Sequence, residues 1–368
     1  MQTEDFTIPA ISFLNDVSKL PKIDLEAICA DLDISPVGSA EELTNNIWNK
    51  LEKNQEKKIS ILDGYRQKLL SGRTSVSWFK VTSGATLKGA KQKIIEKAKF
   101  NPFQVAQIPS PETLTSTPVL VNASQGFSED EYFLRFMFKT GNARNFYADK
   151  VTTTPKNKIV TVFVDEKNGF VEIRTDFHTV GKVAIALGRL IEQEINLEKV
   201  NIAKKFGNKV EAIAQALSGN VVGASSKPLE QCSEELAEEE SKVLVSILQI
   251  VDAFLSSEIE ADVFSEKMVE IRDNNIDLLE GTKFIALILS GLGKVGLDAS
   301  KHTLKDSPLY EMLKPFVINQ EGNISFSVIE EGISNEYLIR VGFTTNSVVF
   351  VTASTEKTIK FVRDVLLN

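Results

Sequence analysis

Residues 159–191 read IVTVFVDEKNGFVEIRTDFHTVGKVAIALGRLI, and this stretch decides the fold class. Its first residues are rich in β-branched side chains and predict a strand, Asp165–Gly169 predicts a turn, and Phe170–Thr175 predicts a second strand. The rest predicts a helix, because its apolar side chains recur at helical spacing on one face: Val180, Val183, Ala184, Leu187, Leu190 and Ile191. A β-hairpin followed by such a helix buries one sheet face under that helix.

The same order of elements returns near the other end of the chain. Tyr337–Val341 and Val348–Thr352 predict strands around the turn Thr344–Ser347, a helix follows to Leu367, and Ile324–Val328 supplies a further strand. We therefore predict an α+β fold. It comprises a small helical N-terminal module, then mixed antiparallel-sheet and helix lobes with two strand-turn-strand-helix units and an intervening helical segment. Whether the two units share one sheet or form two lobes stays open.

Residues 18–52 carry a helix–loop–helix pattern. Apolar side chains recur at helical spacing on both sides of a turn at residues 34–38: Leu20, Leu25, Ile28, Cys29, Leu32, Leu43, Ile47 and Leu51. Ser39 and Glu42 have the spacing of a capping box. This pattern resembles the SAP family, a short helix–extended loop–helix module that binds DNA in many members. Where that family usually carries lysine or arginine, residues 39–42 here are Ser-Ala-Glu-Glu. The alternative is a helical hairpin that docks on a partner or on the rest of the chain.

The length of 368 residues is enough for two or three hydrophobic cores. We predict four domains: 1–56, a small helical SAP-like module; 57–200, a basic α+β domain; 201–300, a helical segment; and 301–368, a C-terminal sheet-plus-helix unit. Within the third, Gly219–Pro228 is rich in small residues and predicts a flexible connector.

Cysteine content and hydropathy indicate the compartment. Cys29 and Cys232 are far apart in helical patterns, which predicts neither a disulfide framework nor a thiolate metal site. No apolar run approaches the roughly 20 residues that span a bilayer, and the first residues lack a basic signal-peptide region. We therefore expect a cytoplasmic protein with no membrane partner.

Charge is distributed unevenly along the chain. Residues 57–100 carry eleven Lys/Arg against two acids, although the formal net charge of the whole chain is −8. A positive surface flanked by acidic ones attracts polyanions, and phosphate neutralisation dominates nucleic-acid affinity. The predicted phosphate contacts are Arg66, Lys68, Arg73, Lys88, Lys91, Lys93, Lys97, Lys99, Arg135, Lys139 and Arg144. The alternative is a solvated lysine-rich helix face that acidic segments neutralise in three dimensions.

Aromatic side chains accompany these cations. Residues 131–139 alternate as a strand, and Arg144, Phe146, Tyr147 and Lys150 are predicted in the following loop. Aromatic rings between cations suit stacking on single-stranded bases, for which Trp78, Phe133 and Tyr147 are candidates. The same alternation is also typical of a strand half covered by a helix.

We predict a non-enzymatic nucleic-acid-binding protein that uses a basic surface in residues 57–158, with DNA favoured over RNA. The competing hypothesis is a protein-interaction subunit of a larger assembly, whose basic segment docks on an acidic partner. One contiguous groove of cations would favour the first and dispersal the second. No phosphate-binding loop, nucleophile elbow or zinc motif occurs, so we expect no cofactor and no metal. A third hypothesis, a nuclease, would need Asp165 and Glu172 to share a cation.

Overall fold

The computed structural model of the chain describes residues 5–82, 86–192, 197–228, 238–274, 295–298 and 317–367. These residues form helices around one antiparallel sheet, which confirms the α+β class. The helices are α1 (Ile8–Ile11), α2 (Leu14–Val17), α3 (Lys22–Asp31), α4 (Ala40–Leu51), α5 (Gln55–Leu62), α6 (Arg66–Leu69), α7 (Ala90–Ala98), α8 (Phe177–Ile191), α9 (Ile202–Lys205), α10 (Val210–Ala216), α11 (Glu238–Leu255), α12 (Ala261–Asn274) and α13 (Glu356–Leu367).

The strands of the described residues all belong to this sheet. They are β1 (Ser75–Val81), β2 (Val119–Gln125), β3 (Glu131–Tyr147), β4 (Lys150–Asp165), β5 (Phe170–Arg174), β6 (Leu197–Lys199), β7 (Asn220–Pro228), β8 (Val295–Asp298), β9 (Val317–Glu330), β10 (Ile333–Gly342) and β11 (Ser347–Phe350). Their order is β2-β3-β4-β5-β1-β11-β10-β9-β7-β8, and β6 pairs with β1.

The two predicted strand-turn-strand-helix units lie in this one sheet. The first is β4–β5–α8 and the second is β10–β11–α13. Strand β1 joins them, because its residue Val76 pairs with Arg174 of β5 on one side and with Val348 of β11 on the other. The question that the sequence left open is therefore answered in favour of a single sheet.

Both faces of the sheet are covered around β5 and along the parts of β3 and β4 that adjoin it. Along β3 and β4, alternate side chains such as Leu134 and Val162 pack in a core with α7 and α8. The intervening side chains, such as Phe133 and Phe163, pack in a second core with the N-terminal helices and α13. This alternation follows from the two-residue period of a strand.

The N-terminal helices form as the sequence predicts. Ser39 Oγ accepts a hydrogen bond from the Glu42 N–H at 3.2 Å, and the Ser39 N–H donates to Glu42 Oε2 at 2.7 Å, which confirms the capping box. Apolar residues of α3 and α4, such as Leu25 and Ile47, belong to the same core as Val76 of the sheet. The SAP assignment and the four-domain division stay predictions.

Strand β7 corrects one prediction. Residues 219–228 are not a connector: β7 pairs with β9 and with β8. A Cβ on Gly219 would lie 2.4 Å from the Ser325 carbonyl oxygen, so the close approach of β9 requires glycine there. Cys29 is a buried free thiol, whereas Cys232 lies outside the described residues.

Lys58 of α5 is buried and binds the chain at the end of α1. Its side chain is 6% exposed, and Nζ donates hydrogen bonds to the carbonyl oxygens of Ala10 at 3.0 Å and Ser12 at 2.7 Å. The ammonium lies 5.3 Å from the centre of the Trp48 ring. Burial lowers the pKa of Lys58 to about 8, because desolvation disfavours the charged amine.

This burial predicts stability that rises with pH. Between the folded pKa of about 8 and the normal unfolded value, the unfolded state binds more protons, so the free energy of unfolding should increase by roughly 2 kcal/mol from about pH 7 to about pH 9.5. Urea denaturation across this range should show the increase in the wild type and in Lys57→Met, whose lysine is exposed. In Lys58→Met the increase should be smaller by roughly 2 kcal/mol, while Lys19 and Lys199, whose pKa values burial also lowers, still contribute to it. Equal slopes in all three proteins would contradict the assignment.

Candidate nucleic-acid interface

The lysines of α7 are largely paired with acids from elsewhere in the chain. Lys91 Nζ lies 2.8 Å from Asp5 Oδ2 and 4.4 Å from the centre of the Phe103 ring. Lys93 and Lys97 approach Glu192 at 3.8 and 2.9 Å, and the hydrogen bond from Lys97 lowers the pKa of Glu192. Three of the predicted phosphate contacts are thus engaged within the protein.

The other cations of residues 57–100 are divided between paired and exposed positions. Lys68 of α6 hydrogen-bonds both carboxylate oxygens of Asp24, at 3.0 and 2.8 Å. Among the other predicted phosphate contacts of this range, the side chains of Arg66, Arg73, Lys88 and Lys99 are exposed, and Lys57 and Lys80 are exposed as well.

Arg135 does not lie on the predicted basic surface. Its side chain is 1% exposed, and Nη2 donates to the Asp16 carboxylate oxygens at 2.9 and 2.7 Å. Nη1 donates to Thr161 Oγ1 at 3.0 Å. The prediction was wrong because α1 and α2 cover this face of β3, which the alternation of β3 alone could not show. Arg135 therefore belongs to the interior.

Two of the three predicted stacking rings are also interior. Trp78 is buried, and its indole N–H donates to Glu172 Oε2 at 2.8 Å. Phe133 is buried between Phe127 and Phe163. Only Tyr147 of the three lies on the surface, where 84% of it is exposed.

The segment predicted as a loop after residue 139 is a β-ribbon. Strands β3 and β4 continue to pair beyond the sheet, from Gly141 opposite Lys156 to Tyr147 opposite Lys150. We call residues 140–157 the β-ribbon arm. Its seven cross-strand pairs give about 20 Å of strand. Within the described part of the chain, no other strand pairs with these residues.

Each face of the β-ribbon arm combines an aromatic ring with a cation. Directly opposed residues share a face, and faces alternate along each strand. One face carries the pairs Arg144–Thr153 and Phe146–Val151. The other carries Asn145–Thr152, Tyr147–Lys150 and Gly141–Lys156. The arm contains three cations and one acid, Asp149, and its base adds Lys139 and Lys158.

The base of the β-ribbon arm is fixed to α8. Asp176 caps α8 by accepting from the N–H groups of His178 and Thr179, and Lys158 forms an ion pair with the same carboxylate. Partial burial raises the pKa of Asp176, but the hydrogen bonds from Lys158 and Thr179 prevail and lower it to about 2. Lys158 therefore attaches the base of the arm to α8. The cations that can still contact a ligand are Lys139, Arg144, Lys150 and Lys156.

The cations of the predicted basic surface are divided between the two ends of strand β4. The N–H groups of Gly89 and Lys91 at the start of α7 donate to the Glu166 carboxylate, just after β4 ends. The β-ribbon arm contains residues 150–157 of β4 (Lys150–Asp165), so its base is separated from Asp165 by about 26 Å of strand and its tip by about 50 Å. Residues 57–158 therefore do not form one contiguous groove, and the arm is the candidate interface.

The hairpin proposed for a nuclease is engaged in structural contacts. Asp165 accepts from the backbone N–H and the side-chain amide of Asn168, both at 2.8 Å. Glu172 is buried and binds Trp78, Arg174 and Arg363. Among the described residues, no group of three or more His, Cys, Asp or Glu side chains is arranged to hold a metal ion.

Sequence reasoning found the aromatic and cationic residues of the arm but missed Val151 and the extended pairing. The signal was weak, because both faces of the arm lie in water and its strands lack apolar alternation.

A comparison with protein-family models finds no match to the chain, and a search of curated proteins finds none either. In the described ranges, no helix has the length and apolarity needed to cross a membrane.

Proposed function

We propose that the chain is a non-enzymatic DNA-binding protein whose β-ribbon arm enters a groove of the duplex. The observation that carries the proposal is the arm itself, a basic two-stranded ribbon with exposed aromatic rings and no partner strand in the described residues. Two-stranded β-ribbons bind in the major or the minor groove of a DNA duplex.

The side chains of the arm match what DNA presents. Arg144, Lys150 and Lys156 supply charge for phosphates, and Lys139 adds a cation at the base. Between them lie hydroxyl and amide side chains that hydrogen-bond phosphate and sugar oxygens, namely Thr140, Asn142, Asn145, Thr152, Thr153, Thr154 and Asn157. Such contacts position a protein on DNA, and four phosphate contacts predict a loss of affinity of roughly 100-fold between about 50 and 200 mM salt.

Fluorescence anisotropy with a labelled duplex tests the proposal. The triple variant Arg144→Glu/Lys150→Glu/Lys156→Glu should bind at least about 100-fold more weakly than the wild type at low salt. The matched control, Lys53→Glu/Lys57→Glu/Lys209→Glu, changes net charge equally at exposed lysines that are neither in the arm nor among the predicted phosphate contacts. It should lose only a few-fold.

Two outcomes would overturn the proposal. Equal losses in both triple variants would mean that net charge, not the arm, controls binding. Absence of binding by the wild type even at low salt would remove DNA as the ligand. A labelled single-stranded oligonucleotide in the same titration tells which strand form is preferred.

A second candidate function rests on a different observation. The cations of residues 57–158 are dispersed, because Lys91, Lys93 and Lys97 form ion pairs within the protein and lie far from the arm. The protein-interaction hypothesis predicts such dispersal. In that case the arm binds an acidic protein surface. Binding of a labelled poly-glutamate peptide that the arm variant loses, without binding of any oligonucleotide, would favour this function.

A further inference from the structure

We propose that Phe146 and Val151 form an apolar wedge that inserts between base pairs and kinks the duplex. This inference rests on the proposed function and adds a deformation of the DNA to it. The two residues are directly opposite in the register of β3 and β4, on one face of the β-ribbon arm. They are 74% and 57% exposed, and only Ala148 and Asp149 lie beyond the next cross-strand pair.

The surroundings of this pair indicate what covers it in a complex. Arg144 lies two residues away on the same face, and Lys150 follows at the end of the ribbon. Phosphates attracted by these cations offer no apolar surface to the Phe146 ring. The apolar surfaces of a duplex are the faces of its base pairs, which become accessible when one step unstacks.

The arrangement of the tip suits such an insertion. The Phe146 ring and the branched Val151 side chain are directly opposite each other, so they form one compact apolar projection across both strands. Tyr147 occupies the other face beside Lys150, where its hydroxyl can hydrogen-bond a phosphate or sugar oxygen while Phe146 is inserted. Proteins that insert apolar side chains in this way bend DNA and gain contact area with the bent duplex.

Two fluorescence experiments test the wedge. A duplex labelled at both ends should show increased energy transfer when the wild-type protein binds, and a duplex with 2-aminopurine at its centre should brighten as the step unstacks. Phe146→Ser/Val151→Ser keeps every charge of the arm and should lose both signals, with about tenfold weaker binding. A duplex that carries a central two-nucleotide bulge is already bent and should restore the affinity of this variant to within about twofold of the wild type.

The control variant is Ile185→Ser, which removes an exposed apolar side chain from α8 and should behave as the wild type. Binding without any change in energy transfer, or equal bending by the serine double variant, would overturn the wedge and leave the DNA-binding proposal standing. Absence of wild-type binding to every duplex would overturn both.

Discussion

Replacement of Arg174 by leucine is expected to lower the free energy of unfolding by about 5 kcal/mol, because it leaves a buried carboxylate without its counter-ion. Arg174 is buried, and its Nη2 donates to Glu356 Oε2 at 2.7 Å. Its Nε donates to Glu172 Oε1 at 2.9 Å, and its Nη1 donates to the Leu70 carbonyl oxygen at 2.7 Å. The guanidinium also lies 5.4 Å from the centre of the Phe133 ring.

This network joins three distant parts of the chain. Glu172 of β5 also accepts from the indole of Trp78 in β1 and from Arg363 of α13. Burial alone would raise the pKa of Glu172, but Arg174 and Arg363 prevail and lower it. The carboxylate is therefore charged at neutral pH, and its contribution to stability is lost as the pH falls through its lowered pKa. The two strand-turn-strand-helix units are thus held together by charge as well as by β1.

Urea denaturation of three variants measures this effect. Arg174→Leu leaves Glu172 paired with Arg363 but leaves Glu356 alone, so Arg174→Leu/Glu356→Gln should recover about 2 kcal/mol. The control Arg272→Leu breaks an exposed ion pair with Asp273 and should change stability by less than about 0.5 kcal/mol. A loss below about 1 kcal/mol in Arg174→Leu would show that this network does not stabilise the fold. No recovery in the double variant would show that the loss does not come from the unpaired Glu356 carboxylate.

The sequence predicted those elements that a local pattern encodes. The alternation of β4 and β5, the helical face of α8 and the capping box of Ser39 each depend on residues within one element or one turn. The sheet order depends on pairings between distant segments, such as that of β1 with β11. The small residues of β7 hid a strand, because the buried Val221 and Ala224 give it little apolar alternation, and its pairing with β8 and β9 depends on distant segments.

The binding surface was harder to predict than the fold, because exposure depends on partners far away in sequence. The lysines of α7 are neutralised by Asp5 and Glu192, and neither acid lies in that helix. The β-ribbon arm appeared to be a loop because water covers both of its faces. That the cations and the aromatic residues there bind nucleic acid stays a prediction, and Arg135 was the one predicted contact that the fold buries completely.

Replacement of Asp16 by alanine is expected to lower the free energy of unfolding by about 4 kcal/mol, since it leaves the buried Arg135 guanidinium without its counter-ion. The side chains of this pair are each 2% exposed. Asp16 also accepts from the Phe13 N–H at 2.8 Å, and the Arg135 guanidinium lies 5.4 Å from the centre of the Phe13 ring. Through these contacts the pair attaches α2 to the first third of β3. Loss of the carboxylate should therefore increase hydrogen exchange in α1 and α2 before it affects β4 or β5.

A double-mutant cycle separates the pair from the packing around it. Asp16→Leu/Arg135→Met replaces both charges with apolar side chains of similar size, and such replacements of buried ion pairs are often neutral or stabilising. The double variant should be more stable than either single variant by at least about 2 kcal/mol. The corresponding cycle on Asp5 and Lys91, whose side chains are 32% and 30% exposed, should give a coupling below about 1 kcal/mol. Additive losses at positions 16 and 135 would mean that helix packing, and not this ion pair, holds the N-terminus on the sheet.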